Sequence, residues 1–427
     1  MADRLSSAFT YAGVFLFFSL LLFGCLGTKD LSVVNLSDLY RGAAHTYHPE
    51  FAVAHQTDST SKLLVRLNTK ELLFSRQSDD RFRAFITIRY QLVDSYESIN
   101  EVLDSGYTAI QVEETDKNRQ KIFEVNFHLP KKKTMLLVIT IHDDQKNLEE
   151  DFYQSIENQS SQSRQSFAAF LMNEDQPLFR NYVSNQDSIR ITYRNPEVRK
   201  LWVSVFTRSF PLAPPPFSFD VRNDFDYTPD DSFSYEVNDS NYIVLNQPGF
   251  YHFRADTTDK EGFTLYCFSG SFPSVTSPEQ MVECVRYLTT KREFEQMKLS
   301  PDKKAAMDKF WLDLGANPER SKYLIRKYYT RIREANQYFT SFTEGWRTDR
   351  GMVYTVFGKP NNVYRNTSAE SWIYGTPNNT LSINFFFTRV NNPFTDNDFL
   401  LSREPLFEGS WMRAVDVWRQ GRVYNDN

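Results

Sequence analysis

The stretch FRAFITIRYQL, residues 82–92, sets Phe82, Ala84, Ile86, Ile88, Tyr90 and Leu92 on one side of an extended chain, in alternation with largely polar residues. A period of two is the mark of a strand with one face in a core and one face wet. The same alternation returns at Phe123, Val125, Phe127 and Leu129, and again at Met135, Leu137, Ile139 and Ile141. Turn-rich segments such as RQSDDR, residues 76–81, separate these runs, which therefore read as an antiparallel β-sandwich. Aromatic residues make up 15% of the chain, a usage that suits pleated, half-buried surfaces.

Working outward, residues 31–55 read as a lead-in with a short helix, DLYRGAAHTYH, before the first strand. On the C-terminal side, NQSSQSRQ, residues 158–165, is polar and low in complexity, as a linker or exposed loop would be. Beyond it a second set of alternating runs appears: Ile189, Ile191 and Tyr193; Leu201, Val203 and Val205; Tyr251 and Phe253; Phe263 and Leu265. At its strand position Trp202 reads as core. The insertion SFPLAPPPFSF, residues 209–219, cannot be a central strand because proline brings no ladder donor, so an extended surface loop is expected.

Near residue 277 the period changes to three and four. Ile325, Tyr328, Ile332, Ala335, Phe339 and Phe342 form one helical stripe, with Arg326, Lys327, Arg331 and Arg333 outside it. Short strands follow at MVYTVFG, SWIYG and LSINFFF, the last two joined by a turn at Pro377-Asn378-Asn379. The expected fold is mostly β with a C-terminal α+β module: two tandem antiparallel β-sandwich domains at 25–157 and 158–276, then amphipathic helices and a small antiparallel sheet at 277–427. A chain of 427 residues has ample length for three such units.

Between the striped helix and the next expected strand lies FTEGWRTDRGMVYTVFGKP, residues 342–360. This segment must stop a helix, reverse the chain and launch a sheet. Gly345 is expected to take the left-handed conformation that ends a helix and Gly351 to do the same for the turn into the strand, Asp349 suits a capping role, Trp346 can close a small core, and Arg347 or Arg350 can stack or pair nearby. A catalytic use of Asp349 or Glu344 needs convergent partners. No histidine follows His252, so this module has none of its own with which to build a histidine-based triad or metal cluster. A structural or protein-contact role is expected, with no catalytic residue assigned.

The N-terminus has Asp3 and Arg4 before the apolar run FTYAGVFLFFSLLLFG, followed by Cys25 and polar residues. That is the layout of an export signal occupying 1–24, or of an uncleaved anchor. Leu22-Phe23-Gly24-Cys25 resembles the bacterial lipobox, which implies acylation of Cys25 and a tether to a lipid bilayer. In an export compartment Cys267 and Cys284 can either bridge or remain as two buried thiols. His45, His48, His55, His128 and His142 lack a metal-ligand pattern, and no metal or cofactor is expected. The net charge of −5 gives no concentrated basic surface, so nucleic acid is not an expected partner.

Gly345-Trp346-Arg347-Thr348-Asp349 resembles the motif of the GWxTD-domain proteins, a family of envelope proteins found largely in Bacteroidota. The likeness runs on through Arg350-Gly351-Met352, the turn from Phe357 through Gly358 to Pro360, and Trp372-Ile373-Tyr374. It implies an envelope lipoprotein and assigns no catalytic residue. A fainter likeness links the same residues to the small α+β lipoprotein of the outer-membrane barrel-assembly machine. The expected role is a non-catalytic interaction or assembly subunit at the outer membrane, with other envelope proteins as partners. The alternative is a surface lipoprotein that binds or processes glycans through an exposed aromatic such as Trp202, or through paired acids such as Glu113-Glu114 or Glu149-Glu150-Asp151.

Overall fold

The computed structural model describes residues 30–40, 45–117, 119–132, 134–218, 225–268 and 270–425. The export signal and Cys25 lie outside the described residues. Among its described residues the lead-in has 3₁₀ turns at Leu31–Val33 and Ser37–Tyr40, and residues 45–48 are not helical.

The first unit contains β1 (Glu50–His55), β2 (Thr60–Asn68), β3 (Ser75–Arg76), β4 (Phe82–Val93), β5 (Val102–Glu113), β6 (Gln120–His128), β7 (Met135–Asp143) and β8 (Leu148–Ile156). One sheet has the order β1-β2-β6. In the other, β4 pairs β5 on one edge and β7 on the other, β7 pairs β8, and β3 pairs the start of β4; every pairing is antiparallel. Ala84, Ile86, Ile88 and Leu92 meet Leu63, Val65, Leu67, Val125 and Phe127 across the two sheets. β7 departs from simple alternation. Leu136 and Val138 are buried on its second face as well, because the C-terminal unit covers that face.

The second unit contains β9 (Phe167–Leu171), β10 (Tyr182–Ser184), β11 (Ser188–Tyr193), β12 (Lys200–Phe206), β13 (Asp231–Glu236), β14 (Ile243–Val244), β15 (Gly249–Arg254) and β16 (Phe263–Phe268). Its sheets run β14-β11-β9 and β10-β16-β15-β12-β13, with β10 parallel to β16. Their shared core includes Ile189, Ile191, Leu201, Val203, Phe253 and Leu265. The outer face of the larger sheet carries Phe206, Phe250, Tyr266 and Phe268, which pack on Phe394 of the C-terminal unit.

The segment joining the two sandwiches is not an exposed linker. Asn158 donates to the carbonyls of Asp58 and Pro130, Gln162 bonds the backbone of Asp256 in both directions, and Ser160 reaches Asp259. Short polar side chains satisfy backbone groups here, so polar composition accompanies burial. Trp202 also departs from expectation, being 45% exposed. Leu201, Val203 and Val205 turn inward, which puts Trp202 on the opposite face; Phe206 at the far end of that face is covered and Trp202 is not.

The third unit contains α1 (Pro278–Cys284), α2 (Lys291–Leu299), α3 (Lys303–Gly315), α4 (Pro318–Phe339), α5 (Asp349–Phe357), β17 (Asn362–Arg365), β18 (Ala369–Tyr374), β19 (Ile383–Arg389), β20 (Phe399–Leu401) and α6 (Phe407–Arg419). Ser277, Asp302 and Asn317 cap the starts of α1, α3 and α4, and Thr290 with Glu293 forms a capping box on α2. β17-β18-β19-β20 is an antiparallel meander, and Asn378 takes positive φ in its expected turn. The stripe Tyr328, Ile332, Ala335 and Phe339 is fully buried, as expected of α4. Arg331 is buried too, where an outward position was expected. Its guanidinium lies 5.1 Å from the Trp418 ring and donates to the carbonyls at the end of α5.

MVYTVFG is not a strand: Asp349–Phe357 is α-helical and every residue in it is buried. Its β-branched and aromatic residues favour extended chain locally. A helix buried on all sides is nevertheless stable when its charged residues, Asp349 and Arg350, are paired, and the Thr348 hydroxyl accepts from Gly351 N at its start. Among the described residues, no helix is long and apolar enough to cross a membrane.

Candidate functional site

The GWRTD corner begins where α4 ends. Thr340 Oγ1 donates to the Asn336 carbonyl and accepts from Gly345 N, and Asn336 Oδ1 accepts from Trp346 N. These bonds fold residues 340–348 back on α4 and leave little room. A Cβ on Gly345 would lie 1.9 Å from the Ala335 carbonyl oxygen, and one on Gly351 would lie 1.8 Å from that of Gly345. Neither glycine has positive φ, so both are required for close backbone approach and not for a left-handed turn. Gly358 is the motif glycine in the left-handed region, at φ 79°, where it ends α5 and faces Arg331. Pro360 is buried in the turn that follows, and Tyr374 donates to the Gly358 carbonyl at 2.7 Å.

Trp346 is buried, with its carbonyl accepting from Tyr287 and the Arg347 guanidinium 4.7 Å from its ring. Thr348, and not Asp349, caps the helix. Asp349 reaches across to β20, accepting from Leu401 N at 2.8 Å and pairing with both terminal nitrogens of Arg403. This two-pronged pairing fixes orientation as well as charge. Arg350 points to the other side, 2% exposed, with its guanidinium between the Phe339 and Phe399 rings at 5.2 and 3.9 Å. It donates to Glu370 at 3.0 Å and to both oxygens of Asn397.

Glu370 is the hub that the sequence reading missed. It has no solvent exposure, yet accepts from Arg350, Tyr40 and the Trp372 indole, and lies 3.3 Å from Arg365 Nε. Burial alone would raise its pKa; the Arg350 and Arg365 guanidiniums, with the bonds from Trp372 and Tyr40, outweigh this and hold it below the usual carboxylate range. The same environment raises the Tyr40 phenol far above its ordinary value, burial first and the Glu370 charge second. A signal for Glu370 was present, since it shares the inward phase of β18 with Trp372 and Tyr374. Nothing local marked Tyr40, Arg403 or Asn397, which arrive from distant segments.

The proline insertion is an irregular strap seated on this corner. Ala213 N donates to the Arg347 carbonyl at 2.9 Å, Arg403 donates to the Pro214 carbonyl, and Glu404 N donates to the Pro216 carbonyl. A cavity of about 450 Å³ remains between strap and corner, with Phe210, Phe225, Phe342, Ser341, Asp349 and Arg403 among its walls. The motif thus joins the lead-in, through Tyr40; the second sandwich, through the strap; and the terminal sheet, through Glu370.

The other candidates are dispersed. Cys267 and Cys284 are both free thiols in separate cores, one between the sandwich sheets and one among the helices, so they do not bridge. Burial pushes the Cys267 thiol up to about 11 and raises Cys284 as well. His48 bonds Glu71, His45 bonds the Asp38 carbonyl, and His142 lies 3.3 Å from Asp144. His55 and His252 are buried, pushed down to about 4 and about 3 chiefly by desolvation. The paired acids are engaged one by one: Glu113 with Arg83, Glu149 with Arg89, Glu150 with the backbone of Thr46 and Tyr47, Asp151 with Thr140. Among the described residues no group of histidine, cysteine and acidic side chains is placed to hold a metal ion.

Comparison with known families places the GWxTD domain on residues 249–420. No curated protein matches the chain. The matched region starts at Gly249, in β15, and so includes the last two strands of the second sandwich, whose outer face packs on Phe394. The chain therefore carries a GWxTD domain over residues 249–420.

Proposed function

We propose that the protein is a lipid-anchored envelope protein, held at the outer membrane through an acylated Cys25, and that it acts as a non-catalytic interaction or assembly subunit of an outer-membrane protein complex. The observation that carries this reading is the use of the motif's polar groups: Asp349 is bound by Arg403 and Leu401, and Arg350 by Glu370 and Asn397, so the corner locks three segments of the chain together. A rigid body of this kind holds its outer surfaces in fixed relation. One of those surfaces is the strand β13, paired among the described residues only with β12 and mostly exposed, which offers backbone groups for strand addition.

Affinity purification from gently solubilised membranes tests the proposal, with Cys25→Ser as the comparison. Recovery of a defined set of envelope proteins, and release of the Cys25→Ser chain from the membrane fraction, are the expected results. Recovery of the protein alone, or equal membrane retention of Cys25→Ser, would count against it. A second reading, glycan binding, is favoured by the exposure of Trp202 with the Lys200 ammonium 4.7 Å from its ring. Under that reading Trp202→Ala abolishes binding on a glycan array.

A further inference from the structure

The lead-in, the first sandwich and the GWxTD domain line a partly open cavity of about 410 Å³, a size suited to a small-molecule ligand. Its walls differ from those of the apolar core beneath it. Tyr96 and Tyr153, from the first unit, line it with rings 6.3 Å apart, and among the described residues neither hydroxyl has a hydrogen-bond partner. Tyr96 itself is only 9% exposed. Ser155, also in the wall, has a buried hydroxyl without a partner. Leaving the buried Ser155 hydroxyl unbonded is costly unless something in the cavity pairs with it.

The GWxTD domain contributes Arg365 and Arg389. Arg365 stacks on Tyr96 at 5.3 Å and shares Glu370 with Arg350. Arg389 is worse served. Its nearest carboxylate, Glu157, is 4.0 Å away and is held more closely by Arg164, which at 2.9 Å also takes Asp396. The acids in the cavity wall are Asp94, paired with Lys132, and Asp396, paired most closely with Arg164 and lying within electrostatic reach of Arg389 and Arg365. The cavity thus presents an under-paired guanidinium together with phenol and hydroxyl donors, in a space larger than a bare oxyanion needs. A fork of N–H donors matches a carboxylate or phosphate, and flat tyrosine rings suit the face of a sugar.

We propose that this cavity binds a small polar ring compound bearing an oxyanion, of the sugar phosphate or sugar acid class, with Arg389 and Tyr96 as its recognition groups. The site draws on both units, so a bound ligand would strengthen the seam between them. This inference is independent of the assembly role above.

Calorimetric titration of the full-length protein in lipid nanodiscs tests it, using glucose 6-phosphate, glucuronate and neutral glucose as probes. One-to-one saturable binding of at least one anionic sugar, and none of glucose, is the expected result. Arg389→Gln should weaken that binding by about tenfold or more, the scale of one charge-assisted hydrogen bond. Tyr96→Phe, which removes one oxygen and keeps the packing, should weaken it by a smaller factor; Leu299→Ala, at an exposed position outside the cavity wall, should leave it unchanged. Unchanged affinity in both Arg389→Gln and Tyr96→Phe, or equal binding of glucose, or no saturable binding of either anionic probe, would overturn the proposal.

Discussion

Replacing Glu370 with Gln removes one charge from a site without solvent exposure and leaves the Arg350 guanidinium, 2% exposed, facing a neutral amide. The amide oxygen can accept from only part of the set Arg350, Arg365, Tyr40 and Trp372, and the amide nitrogen confronts donors. Breaking one side of a buried pair costs about 3–5 kcal/mol, because the remaining charge is stranded. For a unit of this size each kcal/mol lowers the melting temperature by about 2–4 °C, so a fall of roughly 6–20 °C is expected. Thermal unfolding followed by tryptophan emission is the assay, since Trp346, Trp372, Trp411 and Trp418 all lie in the same core. The pH dependence supplies an internal check. Glu370 has a folded pKa below its ordinary value of 4.5, so its contribution is complete above pH 4.5 and is lost as pH falls through the depressed value. Wild type and Glu370→Gln should therefore converge in acid. A cost below about 1 kcal/mol at pH 7, the range of an exposed pair, would refute the reasoning.

Two further outcomes follow from the buried histidines and thiols. His55 and His252 have folded pKa values pushed from 6.5 to about 4 and about 3, so each favours the folded state fully above pH 6.5 and loses that contribution as pH falls toward its folded value. Between pH 6.5 and about 4 each should lower stability by about 1.4 kcal/mol per pH unit, and His252→Gln should flatten the slope measured by denaturant titration. Thiol labelling of the native protein should leave Cys267 and Cys284 unreacted, and unfolding should release both without a reductant. An acylated chain then yields these two thiols alone, and a third reactive thiol would mean that Cys25 is free.

Much of the architecture was legible in the sequence because strand alternation is a direct consequence of the pleat. β4, β7 and the stripe of α4 carry the periodicities that burial later required. The sequence misled where neighbours outweighed local preference. Residues 352–357 look extended because valine, tyrosine and threonine favour strands, yet enclosure on all sides made them helical. Trp202 looks like core because it is large and apolar, but the module that covers Phe206 does not reach it. Gly345 and Gly351 were correctly read as backbone requirements for the wrong reason: they admit another carbonyl instead of an unusual φ. Glu370 could have been flagged by its phase on β18, whereas Arg403 and Tyr40 reach the corner only through tertiary packing. The sequence left Cys267 and Cys284 open between a bridge and two separate buried thiols, and the placement of each in a different core decides for the thiols.

The central claim is that the carboxylate of the GWxTD motif serves the fold. The unfolding midpoint of Asp349→Asn, measured on the folded full-length protein beside wild type, tests it most directly. Loss of the Arg403 pair and weakening of the Leu401 bond should lower that midpoint clearly. An unchanged midpoint accompanied by loss of the membrane complex, or of turnover of any compound, would contradict the account.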